Sequence, residues 1–172
     1  MVKALAWMAQ EKAPVVNVSL VGPANASLQA VVKALAGQGT LVVAAVGNDG
    51  PAAPPLYPAS YPEVVAVTGV DAKGRVLMEA SRSKHLDFAA PGADMAAARP
   101  GGYAPVRGTS YAAPIVAGKL ARLSTRRDPG SARAALATLA KQARDLGPRG
   151  LDKTYGHGLV GEDVRVSPKS LR

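Results

Sequence analysis

The hydrophobic pattern of the first half of the chain alternates between helical stripes and short apolar runs. Apolar residues recur at helical spacing over residues 4–9, and Pro14 ends that helix. A β-branched run over residues 15–20 predicts a buried strand, the stripe over residues 28–35 predicts a second helix, and residues 41–45 predict a second strand. This helix-strand alternation is typical of right-handed βαβ units around a parallel sheet.

The second half continues the pattern with less regular spacing. Residues 64–70 predict a third strand and residues 86–89 a short fourth one, while the Gly- and Pro-rich residues 100–108 predict a loop or hairpin. A helix is expected from Ser110 to about residue 124, and Ser131 is a candidate cap for a last helix. The pattern therefore predicts one α/β domain over all 172 residues.

Composition and charge narrow the classes of partner. Only 4% of the residues are aromatic, which disfavours a surface on which bases stack, so we expect no nucleic-acid partner. The net charge of +9 is uneven, because residues 1–118 hold 9 Lys and Arg against 7 Asp and Glu, whereas residues 119–172 hold 12 against 5. A basic anion-binding surface over residues 119–172 is an alternative interpretation, although single Lys and Arg residues along helices more often form a solvated face.

Neither cysteine chemistry nor a membrane span is expected. The chain has no cysteine, so it has no disulfide or thiolate metal site, and its redox compartment cannot be deduced. The apolar start is too short for a signal peptide, and Glu11 and Lys12 interrupt it. No other run is long enough to predict a transmembrane helix.

The most informative stretch surrounds Ser110. Gly108 and Thr109 precede it and an Ala-rich run follows, which places Ser110 where a loop becomes a helix. The first N–H groups of a helix are unpaired and its dipole is positive there, so an oxyanion beside Ser110 would meet ready donors. A serine at this position also serves simply as a helix cap.

The string Gly-Thr-Ser-Tyr-Ala-Ala-Pro over residues 108–114 resembles the active-site motif G-T-S-x-A-x-P of the subtilisin-like serine proteases, or subtilases. Residues 44–50 resemble the family's A-A-x-G-N-[DE]-G stretch, in which Asn48 would point its amide at the oxyanion. Further matches span residues 58–62, 90–92, 143–147 and 155–158. The resemblance is strongest over residues 15–160 and implies a three-layer αβα sandwich with a mainly parallel sheet.

What the resemblance implies for chemistry is a serine endopeptidase. Ser110 would be the nucleophile that forms the acyl-enzyme, and its own N–H and the Asn48 amide would form the oxyanion hole. The expected substrate-binding residues lie at the ends of the first two predicted strands and just beyond them: Ser19, Leu20, Val21, Gly22, Ala45 and Gly47. Val21 departs from the family, which commonly has glycine there, and it adds bulk near the residue before the scissile bond.

The chain has no match to the Asp and His motifs of the family's catalytic triad. They precede the serine in the order Asp, His, Ser, and no matching pattern occurs in this chain. His85 and His157 match neither catalytic position. We therefore expect this chain to be the carboxyl-terminal part of a subtilase domain whose amino-terminal part is missing, and to be inactive alone. The expected partners are a peptide or protein substrate and the missing portion that carries Asp and His.

A non-catalytic peptide-binding or complementing module is the main alternative. No cofactor is expected; many members of the family bind structural calcium, but no loop here carries three or four closely spaced acidic residues, so the sequence does not decide whether a metal is bound. Export is implied by the resemblance alone.

Overall fold

The computed structural model describes residues 1–171 and contains six strands and four α-helices. The strands are β1 (Val15–Val18), β2 (Leu41–Ala45), β3 (Val64–Val70), β4 (Phe88–Pro91), β5 (Met95–Arg99) and β6 (Gly102–Val106). The helices are α1 (Val2–Gln10), α2 (Ala26–Gly37), α3 (Thr109–Leu123) and α4 (Pro129–Gln142). Short 3-10 turns follow at Glu162–Val164 and Pro168–Leu171.

A four-stranded parallel sheet in the order β1-β2-β3-β4 forms the centre of the fold. Every residue of β2 and β3 is buried, because helices cover both faces of the sheet. Along β2, Val43 packs into a core with α3 and α4, while its neighbours Val42 and Ala44 pack into a core with α1 and α2. This alternation confirms the predicted α/β architecture of a parallel sheet between helix layers.

The helix starts follow local capping chemistry, with one correction to the sequence analysis. Asn25 caps α2 by accepting a hydrogen bond from Leu28 N–H. Asp128, and not Ser131, caps α4: its carboxylate accepts the Ser131 N–H at 2.8 Å. Pro129 occupies the first turn, where its missing N–H costs nothing, so the helix begins three residues earlier than a cap at Ser131 implied.

Two strands differ from their predicted bounds. β1 ends at Val18, which pairs with Ala44, and the chain then leaves the sheet toward the start of α3. β4 begins at Phe88 because the side chain of Asp87 takes the Ala66 N–H, at 2.7 Å. β4 also ends two residues later than predicted, at Pro91, which pairs with Val70. The earlier end of β1 and the later start of β4 are each two residues long, and both arise from side-chain hydrogen bonds that a hydrophobic pattern does not contain.

The segment between the sheet and α3 is a hairpin. β5 and β6 pair antiparallel, so the loop or hairpin expected over residues 100–108 is part of a hairpin. Its first strand, β5, lies before the expected range and was not predicted. The Gly108 N–H then donates to the carbonyl of Gly92 at 2.8 Å, next to the end of β4. This bond fixes the start of α3 against the carboxyl edge of the sheet.

Candidate active site

Ser110 is the second residue of α3 and lies half-buried at the carboxyl edge of the sheet. Its N–H belongs to the first helical turn, which has no acceptor one turn earlier. Among residues 1–171 no backbone or side-chain group accepts a hydrogen bond from this N–H. The N–H is therefore free to donate to a ligand.

Asn48 follows β2 and is held against the start of α3 by its amide oxygen. Its Oδ1 accepts from Thr109 N–H at 3.0 Å and from Thr109 Oγ1 at 3.1 Å. Because both donors fix which end of the amide is the oxygen, the Nδ2 end is left as a donor on an exposed side chain. It lies 3.3 Å from where a Cβ of Gly108 would be, so Asn48 and Ser110 meet at the same edge of the sheet.

Pro114 explains how the end of β1 is tied to the nucleophile. In a regular helix the carbonyl of Ser110 would accept a hydrogen bond from residue 114, but proline has no N–H. The hydroxyl of Ser19 takes this place and donates to the Ser110 carbonyl at 3.0 Å. Ser19, a predicted substrate-binding residue, thus also fixes the helix turn that carries Ser110.

Ser81 is a residue that the sequence analysis missed. It is 4% exposed, its N–H donates to the Gly47 carbonyl at 3.0 Å, and its Oγ accepts from Asp49 N–H at 3.1 Å. These two bonds fix the loop on both sides of Asn48. No signal in the polar run around Ser81 pointed to this role, because its partners lie more than 30 residues away in sequence.

The other predicted substrate-binding residues lie on two segments at the carboxyl end of the sheet, a first wall of residues 19–22 and a second wall of residues 45–47. Ala45 and Gly47 are buried at the end of β2. Leu20 and Val21 are 65% and 39% exposed beyond the end of β1. Gly22 exchanges two backbone hydrogen bonds of 2.9 Å with Tyr57.

Neither histidine reaches this edge of the sheet. His85 Nε2 lies 3.1 Å from the carbonyl oxygen of Val64, the first residue of β3. The ring of His157 packs on Phe88, the first residue of β4, with 5.6 Å between ring centroids. Asn48, by contrast, follows the carboxyl end of its strand, so both histidines lie toward the amino end of the sheet, away from Ser110.

Asp87 belongs to the histidine end of the sheet as well. Burial raises the pKa of this carboxyl group, and its hydrogen bond from Ala66 N–H and the two nearby histidines oppose that rise. Its backbone carbonyl accepts from His157 N–H at 2.8 Å, which joins the last part of the chain to β4. This cluster is therefore remote from the candidate oxyanion hole.

Clusters of metal ligands and membrane-spanning helices are both absent from residues 1–171. There, no group of three or more His, Asp or Glu side chains is placed to hold a metal ion. No helix in the same range is long and apolar enough to cross a membrane.

Replacing Gly108 by alanine is expected to destabilise the fold and disturb Asn48. Gly108 has φ +137° and ψ 158°, a conformation that residues with a Cβ rarely adopt. The added Cβ would also lie 3.3 Å from Asn48 Nδ2. We expect a loss of about 2 kcal/mol in the free energy of unfolding, measured by chemical denaturation.

The matched control is Gly118→Ala in the exposed middle of α3, where nothing lies within 4 Å of the new Cβ. At this position alanine is expected to raise the free energy of unfolding by at most about 1 kcal/mol, because alanine has a higher helix propensity than glycine. Equal stability changes at the two glycines would contradict the strain assigned to Gly108.

Comparisons with known proteins point to one family. The model of the subtilase family matches residues 1–158. The chain is 35% identical over 158 residues to the minor extracellular protease Epr of Bacillus subtilis, covering 90% of this chain and 24% of that protein. It is 35% identical over 169 residues to subtilisin DY of Bacillus licheniformis, covering 95% and 60%. The chain thus spans less than two thirds of either relative.

Solved structures are similar as well. The prenylagaramide maturation protease PagA has a TM-score of 0.77 and 26% identity, with 93% of this chain and 63% of that chain covered. A lanthipeptide protease has a TM-score of 0.82 with 92% and 62% covered; its 23% identity shows the fold alone.

Proposed function

Because this chain belongs to the subtilase family, we propose that it supplies the nucleophile and the oxyanion hole of a serine endopeptidase. The observation that carries the proposal is the Asn48 side chain, whose Oδ1 is held by Thr109 while Nδ2 is left to donate beside Ser110. A structural cap alone would not require this arrangement, since Asn48 is exposed and lies 61 residues from Thr109 in sequence. Its orientation suits a donor directed at a substrate.

The reaction divides between this chain and groups outside it. Ser110 Oγ attacks the carbonyl carbon of the scissile peptide, and the hydroxyl proton passes to a base. Asn48 Nδ2 and Ser110 N–H stabilise the oxyanion. The base returns the proton to the leaving amine as the C–N bond breaks, and water then hydrolyses the acyl-enzyme. A histidine oriented by an aspartate is the base we propose, and both come from outside these 172 residues.

Substrate binding is assigned to the segment that follows β1. Residues 19–22 leave the sheet after β1 with Leu20 exposed, and we propose that a peptide adds to them as a strand. We propose peptides or proteins as substrates, in agreement with the subtilase and protease relatives. Export from the cell is part of the proposal, because one of the relatives is named as extracellular.

A non-catalytic peptide-binding module is the second candidate. It is favoured by one observation: both histidines of the chain lie at the opposite end of the sheet from Ser110. Such a module would bind peptides along residues 19–22 and hydrolyse none, whatever segment is added.

The test is hydrolysis by a form of the protein that includes the sequence encoded upstream of Met1, provided that this sequence carries the aspartate and histidine motifs. Ser110→Ala is expected to abolish turnover. Asn48→Leu is expected to lower kcat about 100- to 1,000-fold with little change in KM, a magnitude measured on a subtilisin.

Ser27→Ala, on the exposed start of α2, is the matched control and should keep full activity. A folded extended form that binds peptide but does not hydrolyse it would favour the binding module. An upstream sequence without these motifs would favour it too.

A further inference from the structure

Two branched apolar side chains, those of Leu56 and Val21, lie against Gly47, which directly precedes Asn48. We propose that Leu56 and Val21 restrict the residue before the scissile bond to glycine, alanine or serine. The inference rests on the proposed function and deepens it.

The position of that side chain follows from the reacting atoms. The scissile carbonyl oxygen must lie near Asn48 Nδ2 and Ser110 N–H, and the Cα of the same residue is only about 1.5 Å from the carbonyl carbon. Its side chain therefore starts beside Ser110. The segments that border this place are residues 19–22, tied to Ser110 through Ser19, and residues 45–47, which run into Asn48.

The surroundings of Gly47 show which side chains lie between the wall of residues 19–22 and the wall of residues 45–47. A Cβ added to Gly47 would lie 2.5 Å from Leu56 Cδ1 and 3.4 Å from Val21 Cγ1. Leu56 thus packs on the bare Cα of Gly47, and Val21 reaches the same point from the opposite wall. Next to Gly47, the space between the two walls is therefore occupied by the side chains of Leu56 and Val21.

Leu56 is held at this place by the chain around it. Tyr57, its neighbour, exchanges two backbone hydrogen bonds of 2.9 Å with Gly22, which follows Val21. Pro58 and Ala59, the next residues, are buried, and Leu56 itself is half-buried. Admitting a Phe or Leu side chain of a substrate would require Leu56 and Val21 to move away from Gly47, which exposes their apolar surface.

The available space thus favours a small side chain on the residue before the scissile bond. A methyl or hydroxymethyl group needs little room and leaves Leu56 and Val21 in contact with Gly47. A glycine leaves them undisturbed.

Peptide binding to the 172-residue chain tests this inference independently of turnover. The probes are acetyl-Ala-Ala-X-Ala-Ala-amide peptides with X as Gly, Ala, Leu or Phe, titrated by calorimetry. We expect X as Gly or Ala to bind at least tenfold more tightly than X as Phe. Leu56→Ala and Val21→Gly are each expected to raise the affinity for X as Phe at least tenfold, while that for X as Ala changes less than threefold.

The control is Leu151→Ala, which removes an exposed leucine elsewhere. Val21→Gly keeps the test decisive if Leu56→Ala fails to fold, because Val21 is 39% exposed. Equal affinity of the wild-type chain for all four peptides, or variants without a gain for X as Phe, would overturn this inference while leaving the hydrolytic function intact. If no peptide binds to the wild type or to either variant, the inference and the proposed peptide-binding segment are both wrong. The catalytic assignment is tested separately, by hydrolysis with the extended form of the protein.

Discussion

Ser110 in the isolated 172-residue chain is expected to resist a fluorophosphonate probe that labels active serine proteases within minutes. The reason is the distance between groups: His85 contacts Val64 and His157 packs on Phe88, both toward the amino end of the sheet. A serine without a base is a poor nucleophile. In subtilisin, a relative of this chain, removal of the histidine lowers kcat about a millionfold.

The measurement is in-gel fluorescence after timed incubation, with an active subtilisin as the positive control and Ser110→Ala as the negative one. We expect the wild-type band to equal the Ser110→Ala background. Rapid stoichiometric labelling that Ser110→Ala removes would contradict this expectation. His85→Ala and His157→Ala would then identify which histidine acts as the base.

The parallel sheet could be predicted from the sequence because its two central strands, β2 and β3, are buried on both faces. Their predicted bounds match the structure residue for residue, and the polar residues Thr40 and Glu63 mark where the two strands start. The bounds of β1 and β4 did not follow from hydrophobicity, because Ser19 and Asp87 set them through side-chain bonds to distant backbone groups. Local pattern cannot contain such partners.

The candidate site was predictable only in part for a similar reason. Ser110 and Asn48 belong to short strings that resemble family motifs, and the fold brings both to one edge of the sheet. Ser81 and Leu56 could not be found this way. Their importance arises from contacts with Gly47, which lies 34 and 9 residues away in sequence and carries no side chain to suggest a partner.

Association of the chain through the outer edge of β1 is the second large effect we expect. Among residues 1–171, β1 pairs only with β2, so its other edge presents backbone groups to solvent. The Leu41 N–H donates to the Pro14 carbonyl, so residues 14, 16 and 18 face β2 and the N–H groups of Val15 and Asn17 face outward. An open edge of this kind pairs readily with another strand.

Asn17→Pro is designed to close this edge without harming the sheet. Proline removes the outward N–H of residue 17, while the inward groups that pair with β2 are untouched. Asn17→Ala is the matched control, because it deletes the same side chain and keeps the N–H. We expect the wild-type chain and Asn17→Ala to self-associate with increasing concentration in sedimentation velocity and to bind a hydrophobic dye.

Asn17→Pro should sediment as a monomer with a circular dichroism spectrum like that of the wild type. If the sequence upstream of Met1 supplies a strand that pairs with β1, adding it should have the same effect on the wild-type chain, because such a strand covers the edge that drives association. A wild-type chain that stays monomeric, binds no dye and melts in one sharp transition would show that β1 tolerates its open edge, and that the fold is stable at this length without a partner.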